Sequence, residues 1–326
     1  MHTCLRSLQL KTGETLDLLR VTCPDAEYRD RILSFLGHKG PDWAVPMREN
    51  LDGPLEGLAQ HFYLGVVGEE IVGNASHVEG LARPVALLQH VFTRPERRRQ
   101  GICSAIIGAL TQDFVARGGR ASSLHTGYQS PAYTIYQAHG FVGYRDTGAM
   151  AWFPDPDFRT DFFRPRPATV RDTRWEDWAP LEALYATEEG WYLRSLRFAQ
   201  WGRSGYEHDY IQLRLGLRQG RMAQAKVLVA DDGAVLGHAY LARNGAYRDD
   251  TWLLEFFVHP NGVGEAPALL AALDLNVGAK VQCTTDSASP EKAALLEQRG
   301  FRLEATLRQQ VRRDDDWLDV GIYRVG

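Results

Sequence analysis

The chain has 326 residues, with 37 Lys and Arg against 41 Asp and Glu for a formal net charge of −4, and is 44% hydrophobic and 24% charged. At ~100–200 residues per domain this length predicts about two globular domains, and the mild acidity gives no broad electrostatic reason to bind nucleic acid. No apolar run reaches the ~18–20 residues of a membrane span, and Met1–Lys11 lacks a secretory leader's long apolar stretch, so the expected compartment is the cytoplasm. Cys4, Cys23, Cys103 and Cys283 show no C-x-x-C spacing, which predicts reduced thiols and neither a disulfide framework nor a metal site.

In chain order, Leu16–Val21 reads as a strand and Ala26–Leu36 as a helix. His61–Val67 and Ile71–Val78 form a hairpin across Gly68-Glu69-Glu70, and Val85–Thr93 is a further strand. Ile102, Ile106, Leu110 and Phe114 recur every four residues, with Gln112, Asp113 and Arg117 off that stripe, which predicts an amphipathic helix. Ala121–Thr126 is a strand, Pro131–Ala138 a short helix, and Phe141–Tyr144 and Gly148–Phe153 close the half. Residues 154–167 (PDPDFRTDFFRPRP) hold four prolines and read as a linker, since missing N–H groups and fixed φ disfavour helix and ladder alike. The second half repeats the order: hairpin strands Lys226–Ala230 and Val235–Arg243, strand Thr251–Val258, helix Ala266–Leu275, strand Val281–Thr284 and helix Pro290–Gln298 before Gly300-Phe301. Gly101 answers to Gly264 and Gly140-Phe141 to Gly300-Phe301, so the period is that of a domain. The expectation is α+β, with domains at 1–153 and 168–326.

The sharpest chemical signal is Thr93-Arg94-Pro95-Glu96-Arg97-Arg98-Arg99-Gln100-Gly101-Ile102-Cys103-Ser104, between a strand and an amphipathic helix. A helix N-terminus exposes unpaired N–H groups and the positive end of its dipole, which makes a seat for phosphate. Gly101 brings no Cβ to that seat, Cys103 and Ser104 are small, and Arg is the side chain best matched to phosphate oxygens.

At these residues the sequence resembles the GNAT superfamily of acyl-coenzyme A dependent N-acetyltransferases. The family's acyl-CoA signature, Q/R-x-x-G-x-G/A, is matched by Arg98-Arg99-Gln100-Gly101-Ile102-Cys103, with Cys103 a departure in the last place. A second signature, A-x-x-x-Y-x-x-x-G-F, stands as Ala132, Tyr136, Gly140 and Phe141. The resemblance implies two tandem GNAT-like domains, each a mixed, mostly antiparallel sheet in which two neighbouring parallel strands splay apart, flanked by helices. It further implies acetyl-CoA as co-substrate, with pantetheine paired to Val91, Phe92 and Thr93 and pyrophosphate held over Arg98–Ser104. Transfer of the acetyl group to a primary amine would gain most of its rate from positioning, with Tyr136 protonating the departing thiolate.

For the general base, His90, His125 and Glu79 all lie near the inferred gap, and the strand register decides which of them faces it. Residues 25–70 hold nine acids against four bases, a field that would draw a small cationic amine, and Trp43 and His61 stand as aromatic wall or as core. Protein or peptide acetylation and a non-catalytic acyl-CoA binding module are the competing readings. In the second half Asn261-Gly262-Val263-Gly264-Glu265-Ala266 lacks the cations, and the position of Tyr136 is taken by Leu296, so that domain is expected to be degenerate.

Overall fold

The computed structural model describes residues 1–80, 84–245, 251–278 and 280–326. The chain divides into two compact units: Met1–Arg159 with Arg174–Glu182, and Thr160–Thr173 with Ala183–Gly326.

The first unit opens with β1 (His2–Gln9) and β2 (Thr15–Thr22), then α1 (Arg29–Phe35) and α2 (Pro41–Asp52). There follow β3 (Leu58–Val67), β4 (Glu70–Gly80), β5 (Val85–Thr93), α3 (Ile102–Ala116), β6 (Ala121–His125), α4 (Pro131–Ala138), β7 (Val142–Gly143) and β8 (Ala149–Trp152). They form one eight-stranded sheet in the order β1-β2-β3-β4-β5-β6-β8-β7. Every neighbouring pair is antiparallel except β5 and β6.

Each face of this sheet has its own apolar cluster. On one, Ile102, Ile106, Ile107 and Leu110 of α3 and Tyr133 and Tyr136 of α4 pack with Tyr63, Val72, Ala75, Leu88 and Leu124. On the other, Ile32 of α1 and Met47 and Leu51 of α2 pack with Val21, Phe62, Leu64 and Ile71. Burying strands on both faces makes them continuous apolar runs, which is why β3 to β5 are readable from the sequence. Two elements are not among the sequence expectations. β1 is an edge strand with no buried residue, so it carries no alternation, and α2 starts on Pro41 and holds Pro46 inside it.

A polar layer runs between the sheet and α3. Arg117 donates to both carboxylate oxygens of Glu79 at 2.7 and 2.8 Å and to Asp113 at 2.9 Å, and Asp113 also receives the Tyr63 hydroxyl at 2.6 Å and Arg20 at 2.6 Å. Glu79 is also 3.6 Å from His77 and 3.8 Å from His61. Burial opposes its charge, but the Arg117 and His77 hydrogen bonds win and hold the carboxyl at about 2. Burial pushes His61 down to about 4 and lowers His77 as well. All three groups have folded values below their ordinary 4.5 or 6.5, so the unfolded chain binds protons first and stability falls as pH drops below about 6.5. Arg117→Met strands two carboxylates and is expected to cost about 3 kcal/mol, read as a shift of the urea midpoint at pH 7.

In sequence, α5 (Phe158–Phe162) follows within the proline-rich stretch, and Phe158, Phe162 and Phe163 are buried. Then come β9 (Ala168–Asp172), α6 (Trp178–Tyr185), β10 (Leu193–Ser195), β11 (Gln200–Trp201), α7 (Glu207–Arg218), β12 (Met222–Ala230), β13 (Val235–Arg243) and β14 (Thr251–Val258). The chain ends with α8 (Ala266–Ala271), β15 (Lys280–Asp286), α9 (Pro290–Gln298), β16 (Arg302–Arg313) and β17 (Asp316–Val325). The second unit's main sheet runs β16-β17-β15-β14-β13-β12-β9, again with a single parallel pair, β14 and β15. Two sheets of the same plan make the fold α+β and tandem, as the repeated order of elements predicts.

Candidate active site

The site of the first unit is a fork. Parallel pairing of β5 with β6 stops at Leu87↔Ser123, although β5 goes on pairing with β4 to Thr93 and β6 with β8 to His125. The inner edge of β5 beyond Leu87 is therefore left without a strand partner.

A bulge in the β4 and β5 ladder sits at the same level, and His90 there takes φ +53, a left-handed conformation uncommon for a residue with a Cβ. Side chains of β4 replace the interrupted ladder: Asn74 Nδ2 donates to the His90 carbonyl at 2.8 Å and Ser76 Oγ to the Gln89 carbonyl at 3.2 Å.

Into the fork opens a cleft of about 880 Å³. Val91, Phe92, Thr93, Arg97, Arg98, Arg99, Gly101, Ile102, Cys103 and Ser104 line it, together with Thr126, Gly127, Ser130 to Ala132 and Ile135. Gln100 alone of the expected loop residues does not; its Oε1 is buried without a partner. Gly101 adopts φ +80 and no side chain caps α3, so the amides of its first turn remain free of a side-chain acceptor. A Cβ at Gly101 would meet open space, so the glycine is required by its φ, and the sequence-based reason of steric room is secondary.

The four arginines divide by what they touch. Arg94 turns to Glu70 and the Ile71 carbonyl, and Arg97 donates to both oxygens of Glu14 at 2.8 and 3.0 Å. Arg97, Arg98 and Arg99 all line the cleft, Arg98 donating to the Thr93 carbonyl at 3.3 Å. The cleft thus offers uncapped amides and three arginines, of which Arg97 is paired with Glu14, beside an apolar wall. That combination fits a pyrophosphate with an extended, mostly apolar arm. Cys103 lies on the wall, but burial pushes its thiol up to about 11, which leaves it a small apolar residue.

The register settles which candidate bases face the fork from the side opposite α3. Leu88 and Leu124 belong to the α3 cluster, so Gln89 and His125 point to the other face. His90 meets Trp43 of α2 edge-on at 5.9 Å; burial, then Lys39, pushes it down to about 3, so it is neutral and weakly basic. His125 Nε2 lies 2.9 Å from Glu182 Oε1 in α6, the carboxylate being almost fully buried. Glu182 escapes sequence reasoning because it stands beyond the proline-rich stretch, 57 positions from its partner. Glu79 is held by Arg117 and faces α3. Tyr136 is 4% exposed in the α3 cluster, 5.9 Å from Phe141, and Ile135 is the neighbouring α4 residue on the cleft wall.

Much of the acidity of residues 25–70 is spent internally. Asp25 meets the N-terminus at 2.6 Å, Asp30 and Asp52 flank Arg29, Glu70 meets Arg94 and Glu56 accepts from the Trp175 amide.

The second unit has the same fork, with pairing ending at Leu253↔Gln282, but its own chain is tied across it. The Leu193 amide donates to Asp286 of β15 at 2.8 Å, its carbonyl accepts from Lys292 of α9 at 2.9 Å, and the Leu196 and Arg197 amides donate to Glu255 of β14. The loop before α8 is a tight 3₁₀ turn in which the Asn261 amide is bonded to the His259 ring and the Gly262 amide to the His259 carbonyl. No side chain caps α8 either, so the two loops differ in the cations that residues 261–266 lack, and Leu296 is fully buried. Among the described residues no cluster of side chains could hold a metal ion, and no helix is long and apolar enough to cross a membrane.

Residues 27–141 match the sequence profile of the Acetyltransferase (GNAT) family. Solved structures similar to this chain include an N-acetyltransferase from Staphylococcus aureus Mu50, at 16% identity and TM-score 0.40, covering 49% of this chain and 98% of its own. A phosphinothricin acetyltransferase from Sinorhizobium meliloti in complex with AcCoA aligns at 22% identity and TM-score 0.39, covering 49% and 88%. Spermidine N-acetyltransferase from Vibrio cholerae in complex with CoA and spermine aligns at 16% and 0.39, covering 48% and 94%. No curated protein matches the chain.

Proposed function

We propose that the first unit, whose residues 27–141 match the Acetyltransferase (GNAT) profile, takes acetyl-CoA as co-substrate and acetylates a primary amine of a small cationic molecule. The observation that carries this reading is the cleft at the fork, where Arg98, Arg99 and the uncapped start of α3 lie beside the unpaired edge of β5. Acetyl-CoA supplies the activated acetyl group. Arg98, Arg99 and the amides of residues 102–104 bind its phosphates, and the β5 edge at Val91–Thr93 orients the arm.

His125 takes the proton that the amine nitrogen loses as the C–N bond forms, and Tyr136 delivers a proton to the sulfur as the C–S bond breaks. The two side chains then exchange their protons with solvent. Several acids of residues 25–70 are paired within the fold, but the stretch keeps nine acids against four bases, and that net negative charge supports a cationic acceptor. The second unit, its fork tied by its own chain, binds no acyl-CoA and serves the fold.

The test is acetyl-CoA turnover, followed as thiol release, across a panel of polyamines, aminoglycosides, amino acids and peptides. Turnover with a small amine supports the reading. Tight acetyl-CoA binding with no turnover on any acceptor would make the chain a binding module.

A further inference from the structure

We propose that Glu182 is a positioning residue for His125, so that the catalytic base of the first unit is a histidine and carboxylate pair whose carboxylate comes from beyond the proline-rich stretch. The inference rests on the functional reading above and names a residue that reading does not require.

Four observations converge on it. His125 is the last residue of β6, immediately before Thr126 on the cleft wall, and alternation from Leu124 turns it to the face opposite α3. Its Nε2 is 2.9 Å from Glu182 Oε1. The imidazole is about one third exposed whereas the carboxylate is 3% exposed, so the histidine reaches solvent while its partner is shielded. Residues 174–182 belong to the first compact unit, set apart from the rest of it by a segment of the second, so this carboxylate is a built part of that unit.

The chemistry follows from the bond. A carboxylate at Nε2 fixes the tautomer with its proton there and leaves the basic lone pair on Nδ1. When Nδ1 takes the amine's proton, the imidazolium forms beside a buried negative charge that stabilises it. His90 of β5 stays neutral, and the residue of β8 paired with His125 is Ala149. Glu182 is the carboxylate within hydrogen-bond distance of the ring, and on this proposal it sets His125's basicity.

Two measurements on the full-length chain test this. In Glu182→Gln, size and one acceptor are kept but the charge is lost. The acid limb of the kcat/KM profile is expected to move about one pH unit lower, with kcat down ~10-fold or more and acetyl-CoA affinity unchanged. A loss of activity with no movement of the limb, or no change at all, overturns the proposal, because a purely structural carboxylate would not shift it. Imidazole ¹⁵N shifts of His125 in the unmodified chain give a readout that needs neither folding of the variant nor turnover. The Nε2–H tautomer at neutral pH is expected, and the Nδ1–H tautomer overturns the pair. The functional reading fails separately, on the absence of turnover with any amine.

Discussion

Reversing both cleft arginines in Arg98→Glu/Arg99→Glu is expected to weaken acetyl-CoA binding by ~100-fold or more while the melting temperature holds. Arg98 and Arg99 line the cleft and take part in no ion pair among the described residues, so the fold loses little when they change. A hydrogen bond to a charged group contributes about 1.5–3 kcal/mol, and reversal adds repulsion to the loss of two such groups. Titration calorimetry on the unmodified chain should give about one acetyl-CoA per chain, and no heat of binding in the double variant at the same concentrations. The contrast with Arg97 sharpens the test: Arg97 also lines the cleft but is paired with Glu14, so Arg97→Ala should lower stability slightly and lower affinity less than reversal of Arg98 and Arg99 does. Two equivalent sites would mean that the segment 191–197 does not close the second fork.

Removing one hydroxyl, in Tyr136→Phe, is expected to lower turnover by ~10²–10⁴ with acetyl-CoA affinity nearly unchanged. The ring is buried among α3 and α4 residues and 5.9 Å from Phe141, so phenylalanine keeps the packing. Ile135 lines the cleft and Tyr136 does not, so the variant decides whether the buried hydroxyl takes part in the reaction. A tyrosine that only packs would leave turnover unchanged at the pH optimum, and the thiolate would then take its proton from water. Combining this variant with Glu182→Gln separates acid from base, since the first acts on the alkaline limb of the pH profile and the second on the acid limb.

Local sequence carried the elements whose physics is local. The apolar runs of β3 to β5, the four-residue stripe of α3 and the Gly101 loop were legible because burial on both faces, a helical period and a left-handed glycine each leave a mark within a few residues. One part of the cleft lining lies in the same stretch, Gln100 excepted because a single turn decides where each side chain of a loop points, whereas Thr126, Gly127, Ser130 to Ala132 and Ile135 are not among the expected site residues. β1 and β16 left no such mark, since edge strands bury too little to impose alternation.

What tertiary structure decided is which groups meet. Nothing local distinguishes Arg94 and Arg97, held by Glu70 and Glu14, from Arg98 and Arg99, which take part in no ion pair among the described residues, because ion pairs join residues far apart in the chain. The sequence named His90 and His125 as equals; the bulge buried the first and the register turned the second toward Glu182. The degeneracy of the second half was visible as missing cations, but its closed fork depends on Asp286, Lys292 and Glu255 gripping the backbone of a segment up to about a hundred residues away. Motifs fix what a short stretch can do, whereas side-chain partners brought together by chain closure fix which of those capacities is used.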